Sequence, residues 1–414
     1  MTTVFIVLAI VALLATIFED IIHINKAKTT LFIGTLSWVL YYVTALENVP
    51  HEVISERFAD NLLEIATLWL FLMAAMTFVA YLNSRNIIRH LVQEVLPPRM
   101  HERTLLLLIG GFAFVFSMLA DNITTTLITL AVYSSVDMPA HKRIKYAALI
   151  VFAVNSGGVG LVTGEVTTLM IFLAGKVSIT DLLALVLPSL LAVLLLALML
   201  FPGLNRYVDF EHHDYVFTHR DRFIMGAFLI TILLTLVLNI GFDVPPVLTF
   251  LFGLSAMFLL DEWFKSSPQD EPILHYIREI HFDTLLFFLG VLLIVGLLQE
   301  IGVLFELVKL YDWLPVAWAN FLMGVLSSLI DNVPMTAAVI KADIPMSQLD
   351  WLALTYATGV GGSILVIGSA AGIITMGKMK EVTFFSYGKI FLPLFVAYGF
   401  GYLANLWFTR WLFL

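Results

Sequence analysis

Cysteine is absent from all 414 residues, which excludes disulfides, iron–sulfur clusters and thiol catalysis. Charge is scarce too: Asp, Glu, Lys and Arg make up 13% of the chain, against 60% hydrophobic residues. No stretch is long enough for a water-soluble domain, since the longest polar segments, 202–222 and 261–282, have the size of loops. There is no basic stripe to suit a nucleic acid and no low-complexity tract. The net charge of −9 says little about partners, because loop charge in a membrane protein mainly reports topology. No A-x-A cleavage signal follows the first apolar run, so residues 2–18 are expected to be a retained span.

What the chain does contain is apolar segments of span length from end to end, each needing about 20 residues to cross the hydrocarbon core. Helices are expected near 2–18, 29–46, 62–82, 181–201, 223–240, 246–260, 284–299 and 390–413. Two regions break the pattern. Residues 104–136 hold two short apolar runs around Asp121-Asn122, and 144–175 hold two more around Asn155-Ser156-Gly157-Gly158 through Gly164-Glu165. The same order returns at 317–341, around Asp331-Asn332, and at 351–378, divided by Gly359 to Ser369.

The Lys and Arg bias of loops favours a hairpin at 104–136 that enters and leaves on one side. With the N-terminus outside, most of the 22 basic residues then fall inside, among them Lys142, Arg143 and Lys145. A straight span would expel that cluster. Each half then makes five full crossings plus a hairpin, and an odd number inverts the second half. The expected fold is an all-α polytopic membrane protein of two inverted-topology repeats, 1–210 and 211–414. Each repeat carries a re-entrant helical hairpin (104–136, 317–341) and a broken transmembrane helix (144–175, 351–378).

An ionisable residue at membrane depth is costly and by default marks an ion or proton path. Non-helical backbone is tolerated there only where it is buried in protein or lines a wet cavity. Asp supplies charge, Asn an amide oxygen, and hard cations such as sodium want oxygen ligands. Burial disfavours the charged form of a carboxylate, so such a group holds either a metal ion or a proton, which is the minimum for antiport. The plainer reading of one Asp-Asn pair is a helix cap at a turn; two copies at equivalent places favour function. Glu165 is a third acid, with Thr167 and Thr168 beside it; as a plain alternative it is a helix N-terminal carboxylate. The second broken helix offers Thr358, Ser363 and Ser369 but no acid, so the first half is expected to hold the main cation site. Glu64 and Asp283 start matching helices; Asp283 is expected as an interfacial acid, and Glu64, three residues inside an apolar face, is open to either an interfacial or a functional reading. No Arg or Lys is expected at membrane depth, the ten histidines are expected in loops or at interfaces, and Trp38, Tyr41, Trp313, Trp407 and Trp411 are expected as interfacial anchors.

The paired Asp-Asn hairpins, Gly164-Glu165-Val166-Thr167-Thr168, Gly361-Gly362-Ser363 with Ile367-Gly368-Ser369-Ala370-Ala371-Gly372, and His23-Ile24-Asn25-Lys26 resemble the NhaD-type sodium/proton antiporters of the ion transporter superfamily. The likeness spans nearly the whole chain. It implies a homodimer in the bilayer, of bacterial inner membrane type, whose scaffold and transport parts are drawn from both repeats. It implies export of sodium or lithium driven by inward protons, with no cofactor. Family positions fall on Asp121, Asn122, Asn155, Glu165, Thr167, Thr168, Asp331, Asn332 and Ser369 as cation- or proton-binding residues. Among these Asp121, Asn122, Glu165 and Asp331 are the expected metal ligands. Glu64, Ser117, Asp283, Ser327, Ser363, Gly164 and Gly368 are supporting positions. Three places depart from the pattern: Glu165 stands where Asp is usual, Val366 where Ser is expected, and Ala80 where relatives often have an acid.

The nearest rival is a sodium-coupled transporter of dicarboxylates or other anions on the same fold, since helix N-termini bind anions. Asp121, Asp331 and Glu165 would repel a divalent anion unless sodium cancels them. An intramembrane enzyme is disfavoured, because there is no H-E-x-x-H, no G-x-G-D, and no His near Ser363 or Ser369. A passive channel lacks a ring of filter residues.

Overall fold

The computed structural model describes residues 2–17, 24–45, 50–85, 87, 99–134, 138–209, 218–264, 273–329 and 331–413. Its elements are α1 (Thr2–Ile17), α2 (Lys26–Ala45), α3 (His51–Ser84), β1 (Arg99–His101), α4 (Glu102–Leu119), α5 (Asn122–Ser134), α6 (Ala140–Gly158), α7 (Val166–Leu173), α8 (Ile179–Leu182), α9 (Val186–Leu200), β2 (Tyr207–Asp209), α10 (His219–Phe242), α11 (Pro246–Phe264), α12 (Phe282–Glu300), α13 (Phe305–Trp313), α14 (Val316–Ser327), α15 (Asn332–Lys341), α16 (Gln348–Gly361), α17 (Ala370–Lys378), α18 (Phe384–Gly388) and α19 (Phe391–Phe413). Among the described residues six helical stretches are long and apolar enough to cross a membrane: His51–Leu82, Glu102–Leu119, Ile179–Leu200, His219–Phe242, Phe282–Glu300 and Phe391–Phe413.

Local chemistry explains where many helices begin. Thr218 with Asp221 and Ser347 with Asp350 form capping boxes that open α10 and α16, each side chain satisfying the other residue's backbone N–H. All four sequence-expected breaks are present. Helix α4 stops at Leu119 and α5 starts at Asn122, while α6 stops at Gly158 and α7 starts only at Val166. The second half repeats this with α14 and α15, then α16 and α17.

Glycine lets the broken helices close on their neighbours. A Cβ on Gly157 would run into the Phe114 carbonyl of α4, and one on Gly361 into the Gly324 carbonyl of α14. The backbones therefore pack directly, which no residue with a side chain permits.

The helices pack in two sets. In one, α1 packs on α2, α2 on α12, α10 on α11, α11 on α3, and α3 on α12. In the other, α4 packs on α6, α14 on α16, α9 on α6, α19 on α16, and α9 on α19. Within the second set the shorter helices cross between halves, α5 against α17 and α7 against α15. Helices α12 with α15 and α3 with α5 join the two sets.

Several expectations are corrected. Helix α3 starts at His51, eleven residues before the expected position 62, because polar residues such as Glu56, Asp60 and Asn61 continue its first turns. Helix α13 and the short antiparallel ladder of Arg99–His101 with Tyr207–Asp209 were not anticipated; three-residue strands carry no periodic signal. Trp38 and Tyr41 are buried rather than interfacial: the Trp38 indole donates to the Leu293 carbonyl at 2.9 Å, and Tyr41 donates to Glu300 at 3.1 Å. Trp313, Trp407 and Trp411 are exposed, as interfacial anchors require. His23 lies outside the described residues.

Candidate functional site

Between the two helix sets lies a cavity of about 520 Å³. One wall comes from residues before and within α2, α3 and α12, including Lys26, Met76, Asp283 and Phe287. The other comes from the breaks, including Asp121, Asn122, Glu165, Asp331 and Asn332.

The two Asp-Asn pairs divide their labour. Each Asp stands just before a helix and turns back onto it. Asp121 Oδ1 accepts from the Thr124 amide at 3.0 Å and Oδ2 from the Thr124 hydroxyl at 2.7 Å. Asp331 is the N-cap of α15, its Oδ1 accepting from the Val333 amide at 3.2 Å. The helix-cap reading thus describes both aspartates, and both still line the cavity. Each Asn turns the other way, into the protein. Asn122 accepts from Ser117 Oγ at 2.9 Å and donates to Asn155 Oδ1 at 3.1 Å. Asn155 in turn donates to Ser369 Oγ at 2.9 Å, which ties the first broken helix to the second.

Glu165 occupies the crossing point. It is 5% exposed and precedes α7 in extended conformation, with φ −141° and ψ 140°. It does not cap that helix: no side-chain bond returns to the α7 amides. Instead Asn332, from the other half, donates to Glu165 Oε1. Asn122 and Thr167 approach the same carboxyl. Glu165 Oε2 accepts no hydrogen bond of ordinary geometry. Ser369, at the equivalent place before α17, does cap its helix, accepting from the Gly372 amide at 3.4 Å. The two breaks share a backbone but use their first residue differently. The extra methylene of Glu over Asp gives Glu165 the length to reach the opposite half.

Space for this carboxylate is made by glycine. A Cβ on Gly359 would sit 2.5 Å from Glu165 Oε2, and one on Gly158 would sit 3.0 Å from Glu165 Cβ. Gly164 packs on the Ser117 carbonyl and Gly368 on that of Ser328, the same approach in both halves. The hydroxyls of Thr125, Ser156, Thr168 and Thr336 are also buried without a hydrogen-bond partner. Buried polar atoms are nearly always paired, so an unsatisfied Glu165 oxygen on the cavity wall suits a desolvated hard cation as cargo. Among the described residues no three His, Cys, Asp or Glu side chains gather on one point, because both aspartates are held to their own helix ends.

Of the supporting positions, Ser117 holds Asn122, Ser327 donates to the Thr358 carbonyl at 2.8 Å, and Ser363 donates to that of Val360 at 2.5 Å. Asp283 lines the cavity and accepts from Asn25 at 3.2 Å. Glu64 lies away from the cavity: its side chain is 61% exposed and pairs with Lys341. His281 stands in the connection just before α12, as expected for the histidines, and lines the cavity.

Lys26 belongs to the motif His23-Ile24-Asn25-Lys26, but the sequence gives it no partner. In the structure its Nζ lies 3.2 Å from Asp331 Oδ2 and 4.4 Å from the centre of the Phe287 ring. A basic residue therefore does face the site. The signal was its place at the very start of α2, but no local pattern names a partner 305 residues away.

Comparison with known proteins matches this arrangement to a family. The citrate transporter family, CitMHS, matches residues 3–361. The Na(+)/H(+) antiporter NhaD of Vibrio cholerae is 32% identical over 402 residues, covering 90% of this chain and 84% of the relative. The chain belongs to the NhaD-type antiporters. NhaD of Vibrio parahaemolyticus is 33% identical, with 88% and 95% covered, and sodium/proton antiporter 1 of Arabidopsis thaliana is 28% identical, with 94% and 69% covered. This NhaD-type chain is an integral membrane transporter and not an enzyme.

Proposed function

We propose that the chain exchanges cytoplasmic sodium or lithium for external protons by alternating access at Glu165 and Asp121. The observation that carries this reading is Glu165 itself: an acid buried at the crossing of both broken helices, held by Asn332 on one oxygen and unsatisfied on the other. A carboxylate so placed needs either a proton or a cation, and it cannot hold both. With the cavity open inward, Asp121 and Glu165 release protons. They bind a cation together with oxygens of Asn122, Asn155, Thr167 and Thr168. Asn332 and Ser369 complete the far side, next to Asp331 and its Lys26 partner. After the site turns outward, the cation leaves and protons replace it.

The alternation rests on inverted repeats at 1–210 and 211–414, with hairpins that re-enter from opposite faces. Two observations support this. Helix pairings in one half recur in the other, as α4 on α6 and α14 on α16. Loops that the charge bias puts on one side also touch: Lys176 pairs with Asp343 at 2.9 Å, and Arg143 with Glu381 at 2.5 Å. The cavity lies between the two helix sets, as expected if the set of broken helices moves as a transport part against a scaffold within a homodimer of the bacterial inner membrane.

Reconstituted protein should collapse a pH gradient on addition of sodium or lithium, and should not do so with potassium. A response to dicarboxylates instead would install the sodium-coupled anion reading, which Lys378 on the cavity wall favours. Because the chain has no native cysteine, topology is cleanly read. Cysteine in place of exposed His141 should label only from the cytoplasm, and in place of exposed Asp343 only from outside. Labelling of both from one side would end the inverted-repeat reading.

A further inference from the structure

The two aspartates at the breaks are not equally available to a transported ion. Asp121 is half-buried, and its bonds are to Thr124 of its own helix. Asp331 is 6% exposed and already carries a cation, the Lys26 ammonium at 3.2 Å. That ammonium is held from both sides, with the Phe287 ring 4.4 Å away on α12. Its stem is fixed as well. Lys26 is the first residue of α2, and the residue before it, Asn25, ties that end down twice. Asn25 Oδ1 accepts from the Ala27 amide at 2.8 Å, and its Nδ2 donates to Asp283 at 3.2 Å. The counterpart helix α11 opens with Pro246 instead.

We infer that Lys26 is a tethered cation that permanently fills the second half-site, so that Asp331 takes no transported ion. An ammonium group replaces a sodium ion in charge and in its need for oxygen partners. Because it is covalently attached, it pairs with Asp331 without being recruited from solution. Its ion pair also crosses between the two helix sets, linking α2 to α15. This inference rests on the cation-exchange reading above for the meaning of the first half-site, but its test does not.

The test is equilibrium binding of radiolabelled sodium to the full-length protein in detergent at alkaline pH, at saturating sodium. Lys26→Met, which keeps the stem and removes the charge, should bind one more sodium per chain than wild type. Asp331→Asn placed in that variant should return the count to the wild-type value. Lys26→Arg should bind the wild-type number. Equal counts in Lys26→Met and wild type, with both eluting as folded protein and melting within a few degrees of each other, would overturn the inference. Where Lys26→Met does not fold, Lys26→Gln is measured in its place against the same criterion. Wild-type protein that binds no sodium at all would instead break the cation-exchange reading, and the difference between Lys26→Met and wild type would still decide the role of Lys26.

Discussion

The residues before α7 and α17 stand at equivalent breaks, and they differ by a single chemical choice. Before α17, Ser369 caps the helix that follows and accepts from Asn155 across the middle. Before α7, Glu165 leaves its helix uncapped and extends into the opposite half, where Asn332 receives it. A neutral cap completes one break locally. A charged side chain leaves the other unfinished, open to a proton or a cation. The aspartates repeat the contrast, since Asp331 has a lysine and Asp121 has only Thr124. On the function proposed above, two similar breaks would thus carry different chemistry, with the exchangeable charge confined to the first half.

The comparison breaks first at Glu165. Glu165→Gln should reduce sodium/proton exchange to background in proteoliposomes, while Ser369→Ala keeps measurable exchange; equal losses would erase the asymmetry. Asp121→Asn should also abolish exchange while the protein still folds. Asn is as good an N-cap as Asp, so this substitution removes charge without removing the cap. Wild-type exchange in that variant would contradict a transport role for Asp121.

Smaller effects sharpen the contrast between the two asparagines. Asn332 donates to a carboxylate and Asn122 to a neutral amide. Bonds to charged groups are worth about 1.5–3 kcal/mol and neutral ones about 0.5–1.5 kcal/mol. Asn332→Ala should therefore weaken apparent sodium affinity by roughly 10- to 100-fold, and Asn122→Ala by about 10-fold or less, as read from the sodium dependence of exchange. Gly359→Ala should shift the sodium dependence in the same direction without altering any titratable group, because its Cβ would stand 2.5 Å from Glu165 Oε2. The smallest effect is expected from Ser369→Ala on stability. Loss of an N-cap costs about 1 kcal/mol, so its melting temperature should fall by a few degrees at most.

The breaks were legible because their causes are local. Asp121-Asn122 and Asp331-Asn332 interrupt apolar runs, and Gly157-Gly158 and Gly361-Gly362 end helices within a few residues of where the structure ends them. The candidate site was legible as a set of residue types near those breaks. Its wiring was not. Asn332 meets Glu165 across 167 positions, and Lys26 meets Asp331 across 305. Glu64 shows the converse failure. An acid inside an apolar stretch suggests a place in the site, but its side chain stands on an exposed face of α3, paired with Lys341. Trp38 misled in the same way, since its place in the chain said nothing of the Leu293 carbonyl that receives its indole.

By itself the sequence determined a helical membrane protein, the positions of its four breaks, and the presence of one more acid in the first half than in the second. Those follow from hydropathy, backbone freedom and charge, which act within a turn or two of the chain. Only the tertiary structure decided which acid is left unsatisfied, which is already neutralised, and which lies away from the cavity. Hydrogen bonds and ion pairs act over about 3–4 Å, so their partners are set by how helices from both halves cross, and no local pattern records that crossing.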